Sequence, residues 1–400
     1  MSSPISVDEQ LRLNRRALRF VAVPFAVLSV GLLLAFGVQG SALWRTIGGM
    51  LVGTYLGLLV LNPLWWLGPA RWFGVRARMV VAGGGRLRGV RVTRSGMVVV
   101  RRAAAFPWGV VAMADAGVGR LRLWGAYAAW LLLQLGCAAV ALAVASSVWV
   151  TLPALGLIMV VAMLALPLPG VSNAPGWMLF RLPAADASVL PQVTWDDAEA
   201  SAVRAAALSD LDGCRTALDS AAPDRPFAAV LRCELALNEG RYADAGVLAA
   251  EFGPRQPLGL LGSQFAQVLV RATVYLHEEA EAQGSPLPAP GYDIEAAATV
   301  VACVPFGPRA SDAFALYWHL RGEPKRAAQS VAQARGAAVT PYAAAHIECT
   351  AARVAAAAGR HEQAAAALRV ARELAPGLAR IGVVERLVSR SQGLPVPPTG

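Results

Sequence analysis

The sequence predicts a mainly α protein: a polytopic helical membrane domain of four transmembrane helices with a small β meander, followed by a soluble α-helical domain. Three observations carry that expectation. The chain is 56% apolar and 16% charged, with a mean hydropathy of +0.49, too apolar for one soluble globule. The uncharged runs are confined to the first half, at Phe20 to Trp44, Thr46 to Ala70 and the 58 residues from Leu123 to Phe180. A bilayer core about 30 Å thick takes roughly 20 apolar residues per helix, so these runs hold one, one and two spans. After Leu182 the chain turns Ala-rich and acid-bearing, with apolar residues at helical spacing.

In order, residues 1–19 form a cytoplasmic N-terminal segment, and residues 20–182 a membrane domain with spans near 20–40, 46–68, 123–147 and 150–168. The first two spans are joined by a short external turn around Gln39 to Arg45. The first apolar run is too long for a signal peptide and lacks a clear small-x-small cleavage site, so it is read as a retained span. Between spans two and three, at 76–113, the β-branched runs Arg76 to Val81, Leu87 to Val92 and Met97 to Arg102 are separated by Gly83-Gly84-Gly85 and Ser95-Gly96. That punctuation predicts an antiparallel meander. Gly83 to Arg86 has no following Lys-Ser or Lys-Thr and reads as a β turn, not a phosphate loop. Residues 183–392 form the helical domain, with an internal loop at Pro286 to Pro290, and 393–400 a disordered tail.

The formal net charge of +10 is unevenly spread: residues 1–180 carry +13 and residues 181–400 carry −3. Four Arg precede the first span and eleven lie between Arg71 and Arg122, while the other predicted loops hold only Arg45. This positive-inside pattern sets a multi-pass protein of the inner (cytoplasmic) membrane with both termini cytoplasmic. The basic charge answers to the lipid bilayer and not to nucleic acid. The five Cys form no C-x-x-C pair, and four of them fall in the cytoplasmic half, so they read as small buried hydrophobes. Trp65, Trp66, Trp72, Trp108 and Trp124 flank the spans and read as an interfacial belt.

In the helical half one phrase recurs, with a small apolar helix end, a Gly turn and an Ala opening the next helix. It runs through Gly240, Tyr242 and Ala245, through Gly322 and Ala327, and through Gly359 and Ala364, the last ending at Pro376. The grammar resembles tetratricopeptide repeats, although the Gly-to-Gly spacings are 82 and 37 residues against a family period of about 34.

The membrane half resembles the site-2 protease family of intramembrane zinc metalloproteases in the order of its elements. Matching back from Phe73-Gly74-Val75 sets Asn62-Pro63-Leu64-Trp65-Trp66 where that family carries H-E-x-x-H. The segment through Asn173, Pro175 and Gly176 resembles the family's Asn-Pro-Asp-Gly, with Pro175 in place of the Asp ligand. A hydrolytic zinc needs three ligands from His, Cys or carboxylate and a general base. Asn62, Pro63, Trp66 and Pro175 cannot serve, and Gln10 to Ala185 holds no His, no Glu, one Cys and one Asp. The resemblance therefore implies a core without catalytic residues, metal or cofactor, and Pro63 predicts a kink in its helix.

All four His lie in the helical half, and His277-Glu278-Glu279-Ala280-Glu281 reads as a solvated helix face because a second His is missing. The function that follows is a membrane-tethered adaptor or regulator. Its core engages an unidentified membrane protein without cutting it, and its repeats recruit an unidentified cytoplasmic one. Two alternatives stand beside it: an active metalloprotease with unconventional ligands, and a small-solute transport component lined by Thr54, Tyr55, Tyr127 and Gln134.

Overall fold

The computed structural model describes residues 7–13, 41–93, 96–144, 151, 153–158, 161, 175–185, 189–256, 259–286, 292–304 and 307–392. The expected first span, most of the fourth, residues 287–290 of the expected Pro286 to Pro290 loop and the tail lie outside these residues. The described chain is mainly helical with one small sheet. It divides into two compact units. One holds Leu11–Arg78 and Trp108–Thr194; the other holds Met1–Gln10, Met79–Pro107 and Trp195–Gly400.

In the first unit, α1 (Ser41–Leu56) runs through a π-helical turn (Gly57–Leu61) into α2 (Asn62–Leu67). The segment expected as an external turn is thus helical from Ser41. The kink expected at Pro63 is replaced by a widened turn, in which the Asn62 N–H reaches the Gly57 carbonyl. A π turn absorbs the donor that proline lacks without ending the helix. The long helix α3 (Arg120–Ala143) and the short α4 (Pro175–Phe180) complete its main helices, and α3 packs on α4. Gly48–Leu67 and Arg120–Ala143 are long and apolar enough to cross a membrane, and only 33% and 28% of their most apolar windows are buried. Such exposure, with Leu51, Val52, Leu132 and Val140 all open, is unlike a soluble core helix and suggests membrane association. A Cβ on Gly53 would stand 1.8 Å from the Pro153 carbonyl oxygen, and one on Gly156 2.1 Å from that of Met50. Only glycine permits two backbones to approach so closely.

Trp65 and Trp66 are buried in a cluster with Tyr127, Trp130, Leu123 and Met178, so these two are core and not an interfacial belt. Trp72 is 71% exposed. Asp115, the one acid of the basic loop, is held by Arg76 at 2.9 Å and Arg78 at 2.7 Å.

The expected three-run meander is two long strands, β1 (Val75–Val92) and β2 (Met97–Asp115), with a short β3 (Thr194–Trp195) beside β2. Gly83–Gly85 is not a turn between strands. Gly83 and Gly85 sit within β1 at φ +88° and +76°, a local distortion that only glycine adopts without strain. The real turn is closed by the Thr93 N–H on the Gly96 carbonyl.

The second unit, from Trp195, is built of α6 (Asp197–Ala207), α7 (Leu211–Asp219), α8 (Pro226–Asn238), α9 (Tyr242–Phe252), α10 (Leu260–Gln283), α11 (Ile294–Cys303), α12 (Gly307–Ala310), α13 (Ala313–Leu320), α14 (Pro324–Arg335), α15 (Pro341–Ala357), α16 (His361–Leu374) and α17 (Ala379–Ser391); α5 (Leu190–Val193) precedes β3. Four hairpins, α6–α7, α8–α9, α13–α14 and α15–α16, share one turn. Its left-handed residue is Ser209, Gly240, Gly322 and Gly359 in turn, with φ between 62° and 81°. The next residue's N–H bonds back to the carbonyl of Ala205, Ala236, Trp318 or Ala355 at 2.8–2.9 Å, the 6→1 bond of a Schellman motif. The new helix opens two residues after the turn in all four. Seven residues before it stand Ala202, Cys233, Ala315 and Ala352, and five after it Cys214, Ala245, Ala327 and Ala364, none more than 3% exposed. Small residues at both positions let paired helices touch. The sequence reading found three of these turns and missed the first, because Ser209 stands where the others have Gly.

Inside this unit lies a buried charge cluster. Arg380 of α17, 0% exposed, donates to both Glu278 carboxylate oxygens of α10 at 2.9 and 3.0 Å, and to Asp312 at 3.2 Å, Thr350 at 2.9 Å and the His346 carbonyl at 3.0 Å. Its guanidinium lies 3.8 Å from the centre of the Tyr275 ring. Arg271 meets the other oxygen of Asp312 at 3.2 Å and Glu234 at 2.6 Å. Thr350 and Tyr275 donate to Asp312 at 2.6 and 3.0 Å. Glu278, expected on a solvated face, is 2% exposed; the helix turns it inward because the partner cation comes from 102 residues further along the chain.

Burial alone would raise the Asp312 pKa, but Arg271 and Arg380 outweigh it and hold the group at about 2. Burial, reinforced by the same two cations, drives the His346 pKa well below its usual value; burial also lowers that of His319. Each imidazole therefore binds a proton less readily in the fold than in the unfolded chain, so the contribution of the two is complete above the unfolded pKa of about 6.5 and fades as pH falls below it. Asp312 contributes above the ordinary carboxylate range and loses its share as pH falls toward about 2.

Two outcomes follow for the urea midpoint of the helical unit, read by protease susceptibility in the intact chain. Arg380→Ala leaves Glu278 and Asp312 buried and short of a cation, and lowers stability by about 3–5 kcal/mol; wild-type stability falls between pH 7 and pH 5, and His346→Gln flattens that slope. Gly322→Ala costs the left-handed strain alone, about 1 kcal/mol, whereas Gly240→Ala costs more because its Cβ would lie 2.9 Å from that of Ala379; equal losses would show that the packing at Ala379 is loose.

Candidate functional site

Two of the positions singled out in the first unit, Asn62 and Trp66, are tied together by a hydrogen bond. Asn62 and Trp66 lie one helical turn apart on α2, and the Asn62 Oδ1 accepts the Trp66 indole N–H at 2.7 Å. The same oxygen accepts the Trp130 N–H from α3 at 3.1 Å. Trp66 also packs at 4.9 Å from the Tyr127 ring. Two donors on one carbonyl oxygen fix the amide, and no lone pair is left over for a metal ion. Pro63 is buried beside them. Pro175 and Gly176 open α4, with Gly176 buried, while Asn173 lies outside the described residues. Among the described residues no cluster of three His, Cys, Asp or Glu could hold a metal ion.

The polar residues weighed for a transport path have different surroundings. Thr54 donates to the Gly156 carbonyl at 3.4 Å and Tyr55 is 50% exposed, whereas Tyr127 is 5% exposed and Gln134 is fully buried. Both polar atoms of the Gln134 amide lack a hydrogen-bond partner.

In the helical unit, Gly240, Gly322 and Gly359 are turn residues as described, and Tyr242 opens α9, 2% exposed, with its ring 5.3 Å from that of Tyr275. These residues shape the helix pairs. Cys214, Cys233 and Cys349 are buried free thiols, and Cys137 and Cys303 are partly buried. Burial pushes the Cys233 and Cys349 pKa up to about 12, which makes both poor nucleophiles.

One concave feature of this unit lies where the hairpin residues 86–88 and 102 meet α14, α15 and α16. Two adjoining clefts of about 260 and 420 Å³ share Arg86, Arg335, Glu348 and Val370 as walls. Glu348, 3% exposed, is gripped by both ends of Arg335, at 2.9 Å from Nε, and faced by Arg86 at 3.7 Å. Arg101 donates to the Gly336 carbonyl, the C-cap of α14. Arg88 and Arg102 line the first cleft and Arg360 the second, and none of the three has an ion-pair partner among the described residues. Leu87, Ile347, Val370 and Leu374 give the first cleft an apolar wall.

Compared with known protein families, with characterised proteins and with solved structures, the chain finds no significant match in any of the three. The candidate site therefore rests on its own geometry. Sequence reasoning missed this cleft because its cations come from segments some 250 residues apart. The only early signal was Arg86-Leu87-Arg88, an alternation that on a strand separates charged and apolar faces.

Removing the shared acceptor with Asn62→Ala leaves the Trp66 and Trp130 N–H groups unpaired in a buried setting. Thermal unfolding in detergent is expected to show a loss of about 2–4 kcal/mol, and Asn62→Asp, which retains the acceptor, a smaller one; equal losses from both would discard the hydrogen-bonding account.

Proposed function

We propose that the chain is a membrane-tethered adaptor: a non-catalytic, site-2-protease-like membrane core of four spans that carries a tetratricopeptide-like domain for recruiting a cytoplasmic protein. The observation that carries this reading is the fourfold turn. The tetratricopeptide pattern sets small residues and a closing Pro at fixed offsets around a tight helical turn. Around Ser209, Gly240, Gly322 and Gly359 the buried small residues keep fixed offsets, and Pro226, Pro257 and Pro376 each stand seventeen residues after a turn. Stacked helix pairs of this kind present extended surfaces to other polypeptides.

The membrane half supports the non-catalytic side of the reading through its donor set. The positions that match a zinc motif are an amide, an imino acid and an indole, and the amide oxygen is occupied by two indoles. None supplies a metal ligand of ordinary strength or a base for water activation. The multi-pass arrangement, with both termini cytoplasmic, rests on the distribution of Arg.

Photo-crosslinking in cells tests the proposal. A crosslinking residue at exposed Gln363 or Ala366 is expected to trap one discrete protein adduct in the membrane fraction, and metal analysis of the purified chain to find no stoichiometric zinc. Zinc near one per chain would overturn the non-catalytic reading, and the lack of any protein adduct at either position would overturn the adaptor.

A further inference from the structure

We propose that the double cleft between the hairpin and α14–α16 binds an extended peptide segment of the partner in which apolar side chains are flanked by carboxylates. The proposal rests on the adaptor reading and specifies what such a partner presents.

Charge is the first argument. Arg86, Arg88 and Arg102 come from the Arg-rich stretch between Arg71 and Arg122, and the fold sets them beside Arg335 and Arg360 of a segment, 181–400, whose net charge is −3. Arg86, Arg88, Arg102, Arg335 and Arg360 line the two clefts against Glu348 and Glu373. Glu348 is already engaged by Arg335 at 2.9 Å, which leaves Arg88, Arg102 and Arg360 to meet an incoming anion. Arginine forks match carboxylates with paired hydrogen bonds. Arg335 on Glu348 is the internal example of that geometry.

Chemistry of the floor is the second. Leu87 and Ile347 are 7% and 2% exposed, and Val370 and Leu374 extend the same wall. A bare inorganic anion would leave this surface unused, whereas a leucine-sized side chain between two acidic residues uses both the floor and the rim. Shape is the third argument. The two clefts run into each other through shared walls, which suits an elongated ligand better than a compact one. In addition, β1, which supplies Arg86, Leu87 and Arg88, is an edge strand in the order β1-β2-β3. An edge strand offers backbone groups to a further extended chain.

The test uses the full chain in nanodiscs of phosphatidylcholine and a displayed library of random octapeptides, selected in parallel on wild type and on Arg88→Ala/Arg102→Ala. Both substituted residues are exposed, and an unchanged urea midpoint confirms that the variant folds. The expected result is enrichment on wild type of peptides that combine Asp or Glu with Leu, Ile or Phe, with the leading peptide binding the variant about tenfold or more weakly and losing affinity as salt is raised. Enriched peptides without an acidic bias would overturn the proposal and leave the adaptor standing. Displacement of the leading peptide by millimolar phosphate or by phosphatidylserine vesicles would also overturn it, in favour of a small-anion or headgroup site. No enrichment of any peptide would overturn the cleft proposal, while the adaptor reading falls only if the crosslinking residues at Gln363 and Ala366 trap no protein adduct.

Discussion

The helical unit is organised around a cation that has no access to water. Arg380 joins α17 to α10, α13 and α15 through Glu278, Asp312, Thr350 and the His346 carbonyl. Taking an arginine and two carboxylates out of water costs several kcal/mol per ion. That cost is offset only when every donor and acceptor is matched in place. Here five hydrogen bonds and an aromatic face at 3.8 Å do so. Asp312 is the clearest consequence: it sits at the N-cap of α13 yet makes no capping bond of its own. Ser311 takes the Ala313 N–H instead, and the Asp312 carboxylate is free to serve the interior. An apolar core could be as stable. The cluster adds specificity, since a shifted helix would leave a buried ion unmatched.

Around that centre the chain repeats a local solution. Four helix hairpins use the same Schellman turn and the same buried small residues, which fixes how each pair closes. The long interval between Gly240 and Gly322 is filled by α10, 24 residues long, with α11 and α12. α10 supplies Arg271, Tyr275 and Glu278 to the charge cluster. The irregular spacing thus reflects an inserted element that carries the interior's polar residues. The first hairpin is anchored differently. Glu199 completes a capping box with Asp196 and reaches across to Arg225 at 2.7 Å and the Ala228 N–H at 3.1 Å.

In the first unit the same principle acts with fewer polar groups. Asn62 is a short polar side chain in an apolar helix, and its carbonyl oxygen collects the N–H groups of two large indoles. The arrangement satisfies three polar groups where unmatched ones would be costly. The π turn before Asn62 accommodates Pro63 in a continuous helix. Asn62, Trp66 and Trp130 are thus used to pack two helices. This is why the functional reading passes to the helical unit and its arginine-lined cleft.

The sequence by itself determined what depends on composition and local pattern. Uncharged runs of span length forecast apolar helices at Gly48–Leu67 and Arg120–Ala143, β-branched runs forecast the hairpin, and Gly followed by Ala five residues on forecast three of the four turns. Elements that depend on distant partners were not legible. Glu278 was read as solvated because no second His follows His277 at metal-ligand spacing, and only the arrival of Arg380 from 102 residues away explains its burial. Ser209 escaped because a turn with φ +62° is encoded by the whole helix pair and not by its residue type. Gly83–Gly85 looked like a turn, since glycines mark positive φ without saying whether the chain reverses. The cleft was invisible for the same reason as the charge cluster. Electrostatic pairing acts through space, and a one-dimensional pattern records which charges exist but not which of them the fold brings within reach.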